Sequence, residues 1–204
     1  MAKTIDQPRN ARSRRTAAAL LAAARELIDE QGFASLTMAA VAQRAGVSRR
    51  AVYLHFATRA ELVMALYRSL GETEELAASL QAVWDCPDAE RALAEWAHHI
   101  ARSHPRILGT LRAVESARYA DPDAATLWHT SMRNWRRGSR RLAQWLADEG
   151  RLASRWNVDT ATDMIWALMS PDLLERLVLD RHWSPKSYGQ HLATLLKATF
   201  IQAR

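Results

Sequence analysis

The chain has 204 residues, of which 49% are hydrophobic and 25% charged, and its net charge of +6 is moderate; this is typical of a globular protein with one sizeable core or two small ones. A membrane-spanning helix is excluded, because no run of about 18 apolar residues occurs. Glycine and proline are few and the helix formers Ala, Leu, Arg and Glu dominate, so we expect an all-α fold. The polar start lacks an apolar signal segment, and the lone Cys86 cannot form an internal disulfide, which together favour a cytoplasmic location.

The excess positive charge lies entirely in the first third of the chain. Up to residue 59 there are 10 cations and 4 anions, whereas the remaining residues carry 18 of each sign. Such asymmetry indicates a polyanion-binding segment joined to an electrically neutral body. A solvated basic tail without a partner is the alternative interpretation.

A regular spacing of apolar residues predicts the first helix. In the stretch RTAAALLAAARELIDEQGF these residues recur every three or four positions, and Gly32 is expected to end the helix in a left-handed conformation. Thr37 is expected to cap a short second helix that ends at Gly46, and Ser48 is expected to cap a third. Two short helices joined by a tight glycine-containing turn predict a helix-turn-helix.

The third helix combines an anchored face with a polar one. Val52 and Phe56 lie four positions apart and are expected to face the core. The residues expected to face outward are Arg49, Arg50, Tyr53 and His55. An arginine guanidinium can donate two hydrogen bonds to guanine or bind phosphate, and tyrosine or histidine can reach phosphate or a thymine methyl. The third helix is therefore predicted to enter the major groove of DNA.

A fourth helix is predicted to begin at Thr58 and to continue to or past Gly71. Thr58, with Glu61 three positions later, resembles a capping box that satisfies the first backbone amides of the helix. Arg59 stands in the first turn, where it is expected to hold a phosphate of the DNA backbone.

Beyond residue 71 the helical pattern continues with balanced charge. Prolines near the expected first turns predict helices over about 87–103, 105–119 and 122–149. Three further helices, the first of them opened by Asn157 or Asp159, are predicted over about 157–170, 171–182 and 185–203. No internal repeat or long linker occurs, and the segment GETEE at 71–75 is the best candidate for a domain boundary.

From Leu36 to Leu62 the chain reads LTMAAVAQRAGVSRRAVYLHFATRAEL, which closely resembles the DNA-binding domain of the tetracycline-repressor-like (TetR) family of transcriptional regulators. The resemblance implies an all-α homodimer. It implies a three-helix DNA-binding domain at 13–70, with the helix-turn-helix at 37–56, and a helical ligand-binding and dimerisation domain at 71–204. In that family a small molecule bound by the C-terminal domain loosens the binding of operator DNA.

The resemblance also implies which residues contact DNA: Thr37, Arg49, Arg50, Ala51, Tyr53, His55 and Arg59. Arg59 stands where the family usually has lysine, and it keeps the cation. Arg50 is bulkier than the common Gly or Pro, and Ala51 stands where a small residue or Thr is usual, so the operator sequence cannot be inferred. The stretch SPDLLERLVLDRHWSPKSYGQHLATLL near the C-terminus also resembles one branch of the family.

All eight tryptophans lie in the C-terminal body, and aromatic side chains commonly line small-molecule pockets between helices. The predicted pocket residues are Trp96, His99, Trp128, Trp135 and Trp166. The alternative is that these tryptophans are ordinary core residues. His98, His99 and His104 lack a second ligand pair at metal-binding spacing, so no metal ion and no cofactor is predicted.

Apolar stripes on the last two predicted helices favour a dimer interface, which the family resemblance also implies. The predicted interface residues are Leu173, Leu177, Leu192, Leu195, Leu196 and Phe200. The alternative is that these stripes form the core of a monomer. The arginine-rich stretch MRNWRRGSRR at 132–141 wraps around its helix, so we interpret it as a solvated face rather than a second nucleic-acid patch. The alternative is that one of its arginines turns inward to bind an anionic ligand.

These patterns together predict a ligand-responsive transcriptional repressor that binds a palindromic operator as a homodimer. The expected partners are double-stranded DNA, a second copy of the chain and a small-molecule effector of unknown identity, with no membrane. A constitutive repressor without a ligand is the first alternative. A helical enzyme is the second, but the sequence has no Gly-rich loop after a strand, no nucleophile elbow and no convincing acid–base pair, so no enzyme is predicted.

Overall fold

The computed structural model of the protein describes residues 11–71 and 74–202, and within these ranges it contains ten α-helices and no β-strand. The helices are α1 (Ala11–Gln31), α2 (Met38–Arg44), α3 (Arg49–His55), α4 (Arg59–Gly71), α5 (Glu74–Trp84), α6 (Ala89–Ala117), α7 (Pro122–Asp148), α8 (Val158–Ala167), α9 (Pro171–Leu174) and α10 (Pro185–Phe200). A 3-10 turn at Phe33–Ser35 follows α1, and a π-helical turn at Glu175–Asp180 follows α9. The predicted all-α fold class is therefore confirmed.

Some predicted features fall outside the described ranges. These are Lys3, Asp6 and Arg9 of the basic segment, and residues 72 and 73 of the predicted boundary segment. None of the described helices is both long and apolar enough to cross a membrane.

The chain divides into two compact units. The first unit comprises the described residues up to Leu70 together with Gly109–Trp128, and the second comprises those of Gly71–Leu108 and His129–Arg204. The end of α6 and the start of α7 thus group with the helix-turn-helix. Contacts between helix ends that are distant in sequence leave no trace in local spacing, and the domains predicted at 13–70 and 71–204 stay a prediction.

Local sequence signals explain where α2 and α3 begin and how the turn between them forms. The hydroxyl of Thr37 accepts a hydrogen bond from the backbone amide of Ala40 at 3.1 Å, and that of Ser48 accepts one from Ala51 at 3.2 Å. Both contacts satisfy amides that have no partner within the helix. Gly46 adopts a φ of 65°, a left-handed conformation that favours glycine, and so permits the tight turn between α2 and α3.

Helix α6 differs from the prediction. A break at residues 104 and 105 was expected, but the helix continues through Pro105 to Ala117, so the prediction of two helices over 87–103 and 105–119 is wrong. Proline removes one backbone hydrogen bond inside a helix, and the intact helix shows that packing outweighs this loss. Ile100 and Leu108 on either side of the proline are both buried.

Two further segments differ from the predicted helices. Residues Glu74–Trp84 form the separate helix α5, which was not delimited from the sequence. The helix predicted over about 171–182 is instead the short α9 followed by the π-helical turn.

The core of the second unit is formed mainly by α6, α7, α8 and α10. Small residues allow these helices to approach closely. A Cβ atom at Gly138 of α7 would lie 2.6 Å from Cη2 of Trp96, and one at Gly189 of α10 would lie 3.0 Å from Cβ of Ala101. Both distances are shorter than a normal contact, so the two glycines set the spacing of α7 and α10 against α6.

Candidate functional sites

Helix α3 is fixed to the first unit by one face. Val52 is fully buried, and Phe56, which follows the helix, is half-buried. The backbone amide of Phe56 donates to the carbonyl of Val52 at 2.8 Å and closes the helix. The predicted inward position of Val52 is therefore confirmed, whereas Phe56 is only partly buried.

The opposite face of α3 is polar, cationic and exposed. Arg49 and Arg50 are exposed and have no ion-pair partner among the residues that the structure describes. Tyr53 is 48% exposed. Leu54, which sequence reasoning did not select, is 77% exposed, although leucine normally avoids water. Its position two residues after Val52 could have revealed it, because a helix turns about 200° over two residues.

The remaining predicted contact residues lie close to this face in the sequence but differ in exposure. Thr37 is exposed at the start of α2, where its hydroxyl oxygen caps the helix. Ala51 is half-buried, as is His55, whose ring lies 6.3 Å from that of Phe56. Among these three residues, Thr37 is thus the one most open to a partner.

The acidic side chains of α1 form ion pairs with arginines of α1 and α2. Arg25 pairs with Asp29 at 3.3 Å, and Arg44 pairs with Glu26 at 3.3 Å and with Glu30 at 2.7 Å. The hydrogen bond from Arg44 lowers the pKa of Glu30, against the opposing effect of desolvation. These anions of α1 are therefore matched by cations of α1 and α2, and they do not neutralise the two arginines of α3.

Arg59, at the start of α4, uses its guanidinium within the protein. Its Nη1 donates to both carboxylate oxygens of Asp121 at 3.1 and 2.9 Å, and to Oδ2 of Asp123 at 3.1 Å. Its Nε donates to the carbonyl of Leu36 at 2.6 Å, and its guanidinium carbon lies 4.8 Å from the centre of the Phe33 ring. The predicted phosphate contact stays a prediction, because a phosphate would have to replace some of these partners.

Asp121 fixes the start of α7 as well as Arg59. Its Oδ1 accepts hydrogen bonds from the backbone amides of Asp123 at 3.0 Å and Ala124 at 3.2 Å. Burial alone would raise the pKa of Asp121, but the amide of Ala124 and the guanidinium of Arg59 outweigh it and hold the pKa below its ordinary value of 3.8. The carboxylate is therefore ionised at neutral pH.

Comparison with known proteins agrees with this arrangement. Residues 20–66, which include the whole helix-turn-helix, match the family described as bacterial regulatory proteins, tetR family. The HTH-type transcriptional regulator TtgR of Pseudomonas putida is 45% identical over 60 residues, which is 29% of the length of each protein. The N-terminal domain belongs to the TetR family.

The likeness in fold to solved structures extends beyond the helix-turn-helix. NalD of Pseudomonas aeruginosa, described as the secondary repressor of the MexAB-OprM multidrug efflux pump, has a TM-score of 0.71 at 22% identity, over 94% of this chain and 100% of NalD. A transcriptional regulator from Saccharomonospora viridis, solved in complex with choline, has a TM-score of 0.70 at 15% identity, over 93% of this chain and 100% of that one. At these identities the likeness establishes the fold alone.

The predicted pocket residues do not all belong to the same unit. Trp96, His99, Trp135 and Trp166 belong to the second unit, whereas Trp128 belongs to the first. There the guanidinium of Arg118 lies 4.5 Å from the ring centre of Trp128. Trp128 was assigned to the pocket because it lies mid-helix, which does not reveal the unit to which it contributes.

Two histidines of α6 are uncharged at neutral pH. Nδ1 of His99 lies 3.0 Å from Oγ of Ser79, and the ring of His104 stacks on Trp135 with centres 4.7 Å apart. Burial lowers the pKa of His99 to about 4 and that of His104 to about 3. Within the described residues, no three His, Cys, Asp or Glu side chains gather in a way that could hold a metal ion.

An open groove lies on the outside of the second unit. Its volume is about 390 Å³, and its lining residues are Trp84, Arg141, Gln144, Trp145 and Asp148. The guanidinium of Arg141 lies 3.9 Å from the ring centre of Trp84. The groove therefore combines aromatic surface with exposed charge.

The predicted interface residues divide by burial. Leu192, Leu196 and Phe200 are at most 5% exposed and belong to the core of the second unit, and their predicted role in a dimer interface stays a prediction. Leu173 and Leu177 are half-buried, and Leu195 is 47% exposed. A three–four spacing of apolar residues marks a buried face without specifying whether the same chain or a partner covers it.

Proposed function

We propose that this TetR-family chain is a transcriptional regulator that represses by occupying operator DNA as a homodimer and responds to a small-molecule effector. The observation that carries this proposal is the outward face of α3. Arg49 and Arg50 are exposed there without opposing charge, on a helix whose other face is anchored by the fully buried Val52.

This face suits the major groove of B-DNA. A short anchored helix can project the guanidinium groups of its first turn towards base edges, where arginine donates two hydrogen bonds to guanine. Tyr53 supplies a phenol for phosphate, and the exposed methyl groups of Leu54 suit apolar contact with a thymine methyl. The second of these contacts adds Leu54 to the predicted DNA-binding residues.

Exposed apolar surface on the second unit supports the proposed dimer. Leu195 of α10, one of the predicted interface residues, is 47% exposed, and Met164 of α8, which was not predicted, is 42% exposed. Two-fold symmetry would place two copies of α3 about 34–36 Å apart, which is one turn of B-DNA. The proposed interface therefore centres on Met164 and Leu195 rather than on the buried leucines.

The proposal includes repression and a response to a small-molecule effector. NalD is described as a repressor, and the regulator of Saccharomonospora viridis was solved with choline, which supports a repressor that binds a small molecule. An effector can release DNA only if it binds one conformation of the dimer more tightly than the other. A cytoplasmic location, in contact with DNA and with no membrane partner, is part of the same proposal.

Selection of bound duplexes from a random pool tests this function. The intact chain is expected to enrich palindromic sequences whose half-sites are one helical turn apart, with affinity that falls as salt rises. Failure to enrich any sequence would contradict sequence-specific regulation. Enrichment of single half-sites without palindromy would contradict the dimer while leaving DNA recognition by α3 intact.

A further inference from the structure

The arginines in the middle of α7 divide into two groups by their partners. Five of them are exposed: Arg133, Arg136, Arg137, Arg140 and Arg141. Arg136 pairs with Asp163 at 2.9 Å and Arg140 pairs with Asp159 at 2.5 Å, so carboxylates of α8 neutralise both. The other three have no carboxylate partner among the residues that the structure describes.

The three arginines without a carboxylate form a single row on α7. Arg133, Arg137 and Arg141 follow one another in steps of four residues, which places neighbours on the same side of a helix about 6 Å apart. Trp145 continues this arginine row by one more step. In the sequence the five arginines wrap around the helix, and only the two ion pairs to α8 separate the row from the rest.

The arginine row ends at the outer groove of about 390 Å³, which Arg141 and Trp145 both line. The guanidinium of Arg141 lies 3.9 Å from the ring centre of Trp84. Stacking on the ring orders the guanidinium, but leaves the N–H groups at its edge able to donate to a carboxylate. Ordered arginine beside tryptophan is the combination that contributes most to binding at protein interfaces.

The charges around the row indicate which kind of anionic partner fits. Single-stranded nucleic acid binds along a continuous cationic track with open aromatic faces. Here the ring of Trp84 already contacts Arg141 and the ring of Trp96, whose centre is 5.7 Å away. The exposed carboxylate of Asp148 in the groove wall also interrupts the track. A partner with separate charges therefore fits better than a continuous phosphate backbone.

We propose that the arginine row and the outer groove together form a docking surface for an acidic helix of a partner protein. A helix that carries carboxylates at every fourth position repeats them about every 6 Å, so each can meet one arginine of the row. An apolar side chain at the next such position would enter the groove beside Trp84 and Trp145. This inference goes beyond the proposed regulatory function and does not depend on it.

Three labelled probes test the proposal in fluorescence-anisotropy titrations of the intact chain at physiological salt. The first is an alanine- and glutamine-based helical peptide with three glutamates four positions apart and a leucine four positions after the last. The second peptide has the same composition but adjacent glutamates, and the third probe is single-stranded oligothymidylate. We expect saturable binding of the spaced peptide, binding about fivefold weaker for the second peptide, and no saturable binding of oligothymidylate.

Two double variants locate the surface. Arg137→Ala/Arg141→Ala removes two members of the row and is expected to weaken binding of the spaced peptide about five- to tenfold. Arg136→Ala/Arg140→Ala is the matched control, because it removes the same charge from the same helix at arginines that already pair with α8. It is expected to change the affinity less than about twofold, and both variants should keep a cooperative thermal transition.

Several results would overturn the proposal. These are the absence of saturable binding of the spaced peptide, equal binding of the two peptides, or equal losses in the two double variants. Saturable binding of oligothymidylate that is lost in Arg137→Ala/Arg141→Ala would show a nucleic-acid surface instead of a docking surface for a protein helix. None of these titrations involves α3, so such results would leave the proposed recognition of operator DNA unchanged.

Discussion

Arg59 shows how one side chain can have two competing roles. A lysine at this position could still place a positive charge near phosphate, but it lacks the planar fork that reaches two aspartates and the Leu36 carbonyl together. Because the guanidinium is only about a quarter exposed, we expect Arg59→Lys to lower the free energy of unfolding by about 1–2 kcal/mol, measured by urea denaturation. Unchanged stability would favour the phosphate role over the internal one.

Asp121 makes the same contact dependent on pH. Its pKa in the folded protein lies below the ordinary value of 3.8, so its contribution to stability is complete above 3.8 and is lost as pH falls through the lower value of the folded state. Asp121→Asn keeps a helix-capping side chain but removes the charge. Urea denaturation is expected to show a less stable variant at neutral pH, and a difference from the unaltered chain that shrinks below pH 3.8. A pH-independent difference would contradict the ion pair.

Residue-level prediction from the sequence succeeded where the signal was local. The caps at Thr37 and Ser48 and the buried Val52 were all predicted from neighbours within four positions. The partners of Arg59 could not be predicted in this way, because Asp121 lies 62 positions away and only the fold brings the two together.

At the level of helices, glycine spacing determines how closely α6 and α7 pack. Gly138→Ala would place a methyl group 2.6 Å from the Trp96 ring, so we expect the free energy of unfolding to fall by about 1–2 kcal/mol despite the better helix propensity of alanine. Gly109→Ala is the control, since its nearest contact would be 3.4 Å, to the carboxylate of Asp29. Urea denaturation followed by circular dichroism should find the first variant destabilised and the second unchanged or stabilised; the reverse order would contradict this packing.

Helix boundaries were predicted correctly where a cap was present and incorrectly where only proline was considered. Ser184 and Asn157 cap the helices that follow them, as expected. Pro105 lies inside α6, because buried residues on both sides keep one face of the helix packed. A proline therefore marks the start of a helix only where the buried face of the preceding helix does not continue past it.

At the scale of the whole molecule, the proposed dimer depends on exposed apolar residues of the second unit. Met164→Glu combined with Leu195→Glu is expected to yield a monomer in sedimentation velocity, because paired surfaces would then carry four buried charges. Leu54→Glu adds a carboxylate at an exposed leucine of α3 and is expected to remain dimeric. Dissociation of this control, or a dimer that survives the double substitution, would contradict the proposed interface.

The sequence allowed prediction of the fold class and the helix-turn-helix. Periodicity and caps determine helices, whereas the grouping of residues 109–128 with the first unit arises from contacts between distant segments. The interior of the second unit was predicted only in part. Trp96, His99, Trp135 and Trp166 lie in that unit, but the unpaired nitrogen of His104 becomes apparent only once its neighbours are placed.

The most direct measurement is the affinity of the Arg49→Ala/Arg50→Ala double variant for the selected duplex. Because each arginine is proposed to contact DNA from the outward face of α3, affinity should fall about 100-fold or more, while the melting temperature stays unchanged. The control Arg133→Ala/Arg137→Ala removes two exposed arginines of α7 and should bind as the unaltered chain does. Unchanged affinity in the α3 variant, or an equal loss in the control, would contradict DNA recognition by α3.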